Sequence, residues 1–87
     1  MHIKDVLKID GMSSITKDYF PTKSTCYSGI YHSKKLLKVI RIVFRNDKTA
    51  IIHFGKEFTK SEINIISPIL KSNIEKSGYT LYHVNIL

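Results

Sequence analysis

Tryptophan is absent and cysteine occurs once, at Cys26, so the chain can form no internal disulfide and no multi-cysteine zinc site. No apolar run reaches the roughly 18 residues needed to span a bilayer. Charged side chains interrupt the first ten residues, "MHIKDVLKID", where an apolar signal segment would lie. These absences point to a cytoplasmic protein with no membrane partner. Acidic residues are the other scarcity: 7 Asp+Glu stand against 14 Lys+Arg, a net charge of +7. Such a field attracts nucleic acid, an anionic membrane surface or an acidic protein without choosing among them, and lysine-rich solubility is the plainer alternative. With 87 residues, 43% of them hydrophobic, the chain can bury one small core and has little room for an elaborate pocket.

What is present is a strand-rich centre. "LLKVIRIVFRNDKTAIIHF", residues 36 to 54, is two β-prone runs around a turn in which Asn46-Asp47 tolerates left-handed geometry. Upstream, "CYSGIYH" is a shorter strand, set off by the polar trio Ser33-Lys34-Lys35. Three successive strands make an antiparallel meander. Alternation sends Ile30, Ile40, Ile42, Phe44, Ile52 and Phe54 to the core and Tyr27, Tyr31, Arg41, Val43, Arg45, Ile51 and His53 to the opposite face.

A helix follows. Thr59-Lys60-Ser61-Glu62 is a capping box, in which each end side chain satisfies a backbone N–H of the other. Ile63, Ile66, Ile69 or Leu70, and Ile74 form an apolar stripe, and Gly78 suits the left-handed position beyond the C-cap. Pro68 either kinks this helix or restarts it at Ser67-Pro68, and the unbroken stripe favours a kink. "YTLYHVNIL" then reads as a fourth strand, able to pair with a meander edge or with a second copy in a homodimer. Near the N-terminus, Ile3, Val6 and Leu7 suit a short helix ended by Asp10-Gly11, and "SSITKDYFPTKST" suits a loop tied down by Tyr19 and Phe20. The expected fold is α+β: a three-stranded meander on one kinked amphipathic helix plus a C-terminal strand, βββαβ. Residues 1–25 form an N-terminal segment and 26–87 a single domain.

Catalytic motifs are incomplete. Gly29-Ile30-Tyr31 matches the first half of the GIY-YIG nuclease signature, but ten residues later the chain reads Arg41-Ile42-Val43, and Glu62 is already used as a cap. His32, His53 and His83 fall in or beside strands, where two could serve as the acid–base pair of a metal-independent ribonuclease. Their spacings fit no zinc pattern. The expectation is a non-enzymatic protein without metal or cofactor.

Nucleic-acid binding needs cations for phosphate and flat groups for sugars and bases. Tyr27, Tyr31, Arg41, Arg45 and His53 meet that need on the face opposite the core, and Lys34, Lys35, Lys38 and Lys48 lie near the strand ends within reach of phosphates. A mixed solvent face, or an interface seeded by Val43 and Ile51, is the competing reading.

Tyr27-x-Gly29-Ile30, the lysine turn, Arg41-Ile42, then Ile52-His53-Phe54-Gly55 followed by Phe58-Thr59 and Glu62 resemble the DNA-binding domain of plant ethylene-response factors. Relatives of that domain occur in phage and mobile-element endonucleases, and its fold is similar to the arm-binding domain of tyrosine integrases. The likeness covers residues 27–66. It implies a three-stranded sheet laid in the DNA major groove, with Arg41 and Arg45 reading base edges. The expected function is thus a small basic nucleic-acid-binding protein, DNA ahead of RNA. The alternative is a phage or mobile-element inhibitor that docks on a host or defence protein, such as a nucleic-acid-handling machine, through its basic surface or its C-terminal strand.

Overall fold

Hydrophobic alternation and one amphipathic helix generate a five-stranded mixed sheet with a helix on one face. The computed structural model describes residues 1–19, 23–34 and 36–87, the side chain of Tyr19 excepted. A 3-10 turn at Ile3–Asp5 precedes β1 (Met12–Tyr19), β2 (Thr25–Ser33), β3 (Leu36–Phe44), β4 (Thr49–Phe54), α1 (Lys60–Lys76) and β5 (Thr80–Ile86). The strands lie side by side in chain order, antiparallel from β1 to β4. The last pair, β4 and β5, is parallel, because α1 carries the chain back to the starting end of the sheet. The α+β class and the meander are as expected, but the order is ββββαβ.

The extra strand is β1. Residues 13–25 are polar at most positions, which suggested a loop, yet Met12–Tyr19 pairs with β2 across a register shift between Ser13 and Thr16. Ser14 takes a left-handed φ of 51° inside that irregularity. The proposed anchoring by Tyr19 and Phe20 falls on side chains outside the described residues. Val6 and Leu7 are fully buried, and the Asn73 amide donates to the Val6 carbonyl at 3.0 Å, so the N-terminal segment closes one side of the core against α1.

The helix is held at both ends by local chemistry. Thr59 Oγ1 accepts from the Glu62 N–H at 3.1 Å, and Glu62 Oε1 accepts from the Thr59 N–H at 2.9 Å. At the other end the Tyr79 N–H reaches the Ile74 carbonyl and the Gly78 N–H the Glu75 carbonyl, a Schellman closure for which Gly78 adopts φ 88°. Between them α1 runs through Pro68 without a restart. Asn64, whose carbonyl loses its helical donor to the proline, lies on the exposed side with Pro68, where such a carbonyl can be hydrated. Ile63, Ile66, Leu70 and Ile74 are buried against Ile40, Ile42, Phe44, Ile52 and Phe54.

The β3–β4 hairpin has its left-handed residue at Lys48, φ 68°, and not at Asn46-Asp47. Asp47 contributes in another way: its carboxylate accepts from the Thr49 N–H and hydroxyl, chiefly the hydroxyl, and this holds its pKa below the ordinary carboxylate value.

One ion pair fixes the helix on the sheet. Lys38, only 4% exposed, points to the helix-covered face and donates to Glu62 Oε1 at 2.5 Å, with Phe58 beneath its ammonium. Lys38 first, then the Thr59 N–H and Ser33, hold the Glu62 carboxyl down at about 2. Because that folded value lies below the ordinary one, the contribution of Glu62 to stability is complete above about pH 4.5 and is lost as the pH falls toward 2. Glu62→Gln should remove this acid limb from the pH–stability curve and destabilise the protein by about 3–5 kcal/mol, since it strands a buried ammonium. Lys38→Met/Glu62→Gln should regain most of that loss in urea titrations.

Candidate nucleic-acid interface

Strand pairing divides the expected site residues between two faces. Register places Tyr27 opposite Ile42, Gly29 opposite Ile40 and Tyr31 opposite Lys38, so both tyrosines share the helix-covered side with the core isoleucines. Tyr27 is 8% exposed and meets Phe44 edge-on at 6.2 Å; Tyr31 is half-buried against Phe58 at 5.7 Å. Ile30, assigned to the core by alternation, instead pairs with Val39 on the open side. A one-residue offset in β2 exchanges its two faces, and here the core takes the large rings and leaves the smaller aliphatic outside. Lys38 is a correction of the same kind: its ammonium is buried in the pair with Glu62 rather than placed at a strand end for phosphate.

Lys34 and Lys48 are exposed at opposite ends of β3. Lys34 takes φ 48° in the β2–β3 turn, and Lys48 extends over the Tyr79 ring at 4.9 Å. Lys35 lies outside the described residues. The structure therefore brings together only Arg41, Arg45 and His53.

Those three occupy the face with no helix over it. Thr16, Ser28, Arg41, His53 and Asn85 are register partners, one from each strand, and form a polar row across the whole sheet. Thr16 and Ser28 hydroxyls lie 3.1 Å apart, and Ser28 donates to Asp18 at 3.3 Å. Arg41 Nε sits 3.9 Å from the same Asp18 carboxylate, a loose and half-exposed pair. The Asn85 amide nitrogen is 3.2 Å from His53 Nδ1. Burial foremost, then Arg41 and His83, lower the His53 pKa, so its ring is neutral near pH 7 and accepts from Asn85 through Nδ1, keeping Nε2–H as a donor.

Arg45 is held differently. Its Nε donates to Thr49 Oγ1 at 2.8 Å and its guanidinium lies 4.7 Å from the centre of the Tyr82 ring. Tyr82 reaches the open side because the β4–β5 register shifts there: Ala50 pairs with Leu81 and Ile51 with His83, leaving Tyr82 as the extra residue of a bulge. Tyr82 is 68% exposed, the only large aromatic exposed to that degree among the described residues.

Beside the polar row a groove of about 360 Å³ opens. Arg41, His53 and Asn85 form its polar side; Val39, Val43 and Leu87 wall it, and Gly55 adds no side chain. Tyr82, Asn85 and Leu87 were not expected from the sequence, although the alternation of "YTLYHVNIL" was the available signal.

No protein-family model, curated protein or solved structure matches this chain. Among the described residues, no three His, Cys, Asp or Glu side chains converge as a metal site, and no helix is long and apolar enough to cross a membrane. Burial pushes the Cys26 thiol up to about 11, which keeps it protonated and a poor nucleophile at neutral pH.

The placement of Tyr27 gives a direct test. Tyr27→Ala should cost about 3–5 kcal/mol in urea unfolding, as for other buried aromatic truncations. Tyr27→Phe should change stability far less and leave any nucleic-acid affinity at the wild-type value.

Proposed function

We propose that the chain is a small, basic, non-enzymatic nucleic-acid-binding protein of the cytoplasm, taking DNA ahead of RNA on the open face of its sheet. The observation that carries this reading is the uncovered polar row with Arg41 at its centre, next to Arg45 stacked on Tyr82, in a chain of net charge +7. Arginine suits the role because its planar fork donates to phosphate and keeps its charge at any physiological pH. The resemblance to ethylene-response-factor and integrase arm-binding domains supports the use of the open sheet face alone, since the three-stranded sheet it implies in the major groove is narrower than these five strands.

A second reading is a phage or mobile-element protein that docks on a host or defence protein. It is favoured by Leu37, Val39 and Leu87, which are 63%, 48% and 67% exposed, and by the outer edge of β5, which has no strand beside it among the described residues and would also accept a second copy. A host protein that co-purifies from nuclease-treated lysate, and is lost on Leu37→Ser/Val39→Ser, would select this reading.

For the first reading, Arg41→Ala/Arg45→Ala should weaken DNA binding at low salt by roughly ten-fold or more. It should also reduce the slope of log affinity against log salt by about 2, because two phosphate contacts no longer release counterions. Both arginines lie outside the core, so circular dichroism and the urea midpoint should stay near wild type. No retention of single-stranded or duplex DNA, or of RNA, in low-salt gel shifts would refute the proposal.

A further inference from the structure

We infer that the open face binds single-stranded DNA and seats one unpaired base in the groove between β3 and β5; this rests on the nucleic-acid reading above and specifies its substrate. Width is the first reason. Four interstrand spacings of about 4.8 Å put β1 and β5 roughly 19 Å apart. The major groove of B-DNA is about 12 Å wide and admits a helix or a narrow ribbon of strands. Arg41 and His53 sit on inner strands, level with Ser28 and Thr16 on one side and with Asn85 of the edge strand β5 on the other. A duplex can touch this face with its phosphates, but its paired bases stay out of reach of the row.

A single strand meets no such barrier, and the face has what an unpaired base requires. Outside the groove, Tyr82 offers an exposed ring on which a neighbouring base can stack, held from one side by Arg45. Val39, Val43 and Leu87 wall a groove of about 360 Å³, of a size that admits a flat heterocycle. At its polar side, the Asn85 amide and the neutral His53 ring supply both donor and acceptor positions for a base edge, while Arg41 stands beside them for the phosphate. The cations and the neutral reading groups are therefore adjacent, as a strand with its backbone and bases on different sides needs them to be.

Fluorescence anisotropy with one labelled sequence of about 16 nucleotides, as single-stranded DNA, as duplex and as RNA in the same buffer, tests the inference. Single-stranded DNA should bind at least roughly ten-fold more tightly than duplex and more tightly than RNA. Tyr82→Ala should lower the single-strand affinity by about five-fold or more, the range that loss of one stacked base produces. Val39→Leu/Val43→Leu, which narrows the groove without adding a ring for stacking, should weaken single-strand binding more than duplex binding. Equal or tighter duplex binding, tighter RNA binding, or single-strand affinity indifferent to both variants would overturn it. Failure to bind all three probes would overturn the nucleic-acid reading itself, a distinguishable result.

Discussion

The pairing of Gly29 with Ile40 fixes the geometry on which the rest depends. It sets the register of β2, and in a sheet the register decides which of two alternating sets of side chains is buried. On the helix-covered face, Met12 and Ile15 of β1 lean into the space a side chain at Gly29 would occupy. With that position empty, Tyr27 and Tyr31 flank it and fill the core on either side, one against Phe44 and the other against Phe58. The partner strand then has Lys38, Ile40, Ile42 and Phe44 inward and Arg41 outward. Arg41 is exposed because its neighbours along β3, Ile40 and Ile42, are committed to the core.

Burying Lys38 is the unfavourable consequence of that register, and α1 offsets it. The inward set of β3 includes one amine, which needs an anion within reach of the sheet. Glu62 supplies it from the first turn of the helix, where the same carboxylate completes the capping box. A carboxylate at a helix N-terminus is already favoured by the helix dipole, so one group answers two demands. The arrangement also sets where α1 begins over the sheet, and hence where β5 returns beside β4.

Much of this is legible in the sequence, and the gaps have physical causes. The capping box at Thr59–Glu62, the glycine closure at Gly78 and the β3–β4 hairpin are local devices whose residues carry their own geometry, so spacing alone finds them. The faces of β3 and β4 are nearly as plain, because Ile40, Ile42 and Phe54 alternate with polar or smaller groups and Ile51 alone breaks that pattern. β2 is ambiguous: Tyr27, Ile30 and Tyr31 are all apolar enough for a core, and only packing around Gly29 decides between two offsets. β1 is hidden by its polar content and by Ser14, whose left-handed backbone breaks the alternation. Likewise the pattern of β5 reveals a strand but not its neighbour, and Tyr82, Asn85 and Leu87 join the site only because β5 lies parallel to β4.

The charge of the open face is poised rather than fully neutralised. Asp18 lies 3.9 Å from Arg41 and also accepts from Ser28, so it keeps a partner if the guanidinium turns to another anion. Arg45 is more constrained, with Nε committed to Thr49, the Asp47 carboxylate 3.8 Å away and one side of its guanidinium against Tyr82. On the proposed reading its terminal nitrogens would meet an incoming oxyanion, and the ring limits the directions from which that anion can approach. A guanidinium held this way loses less side-chain freedom on binding than a free lysine does, so it favours a defined contact over diffuse attraction. On the proposed reading, lysines elsewhere on the surface would raise the encounter rate, and the two arginines on the sheet would determine where the strand comes to rest.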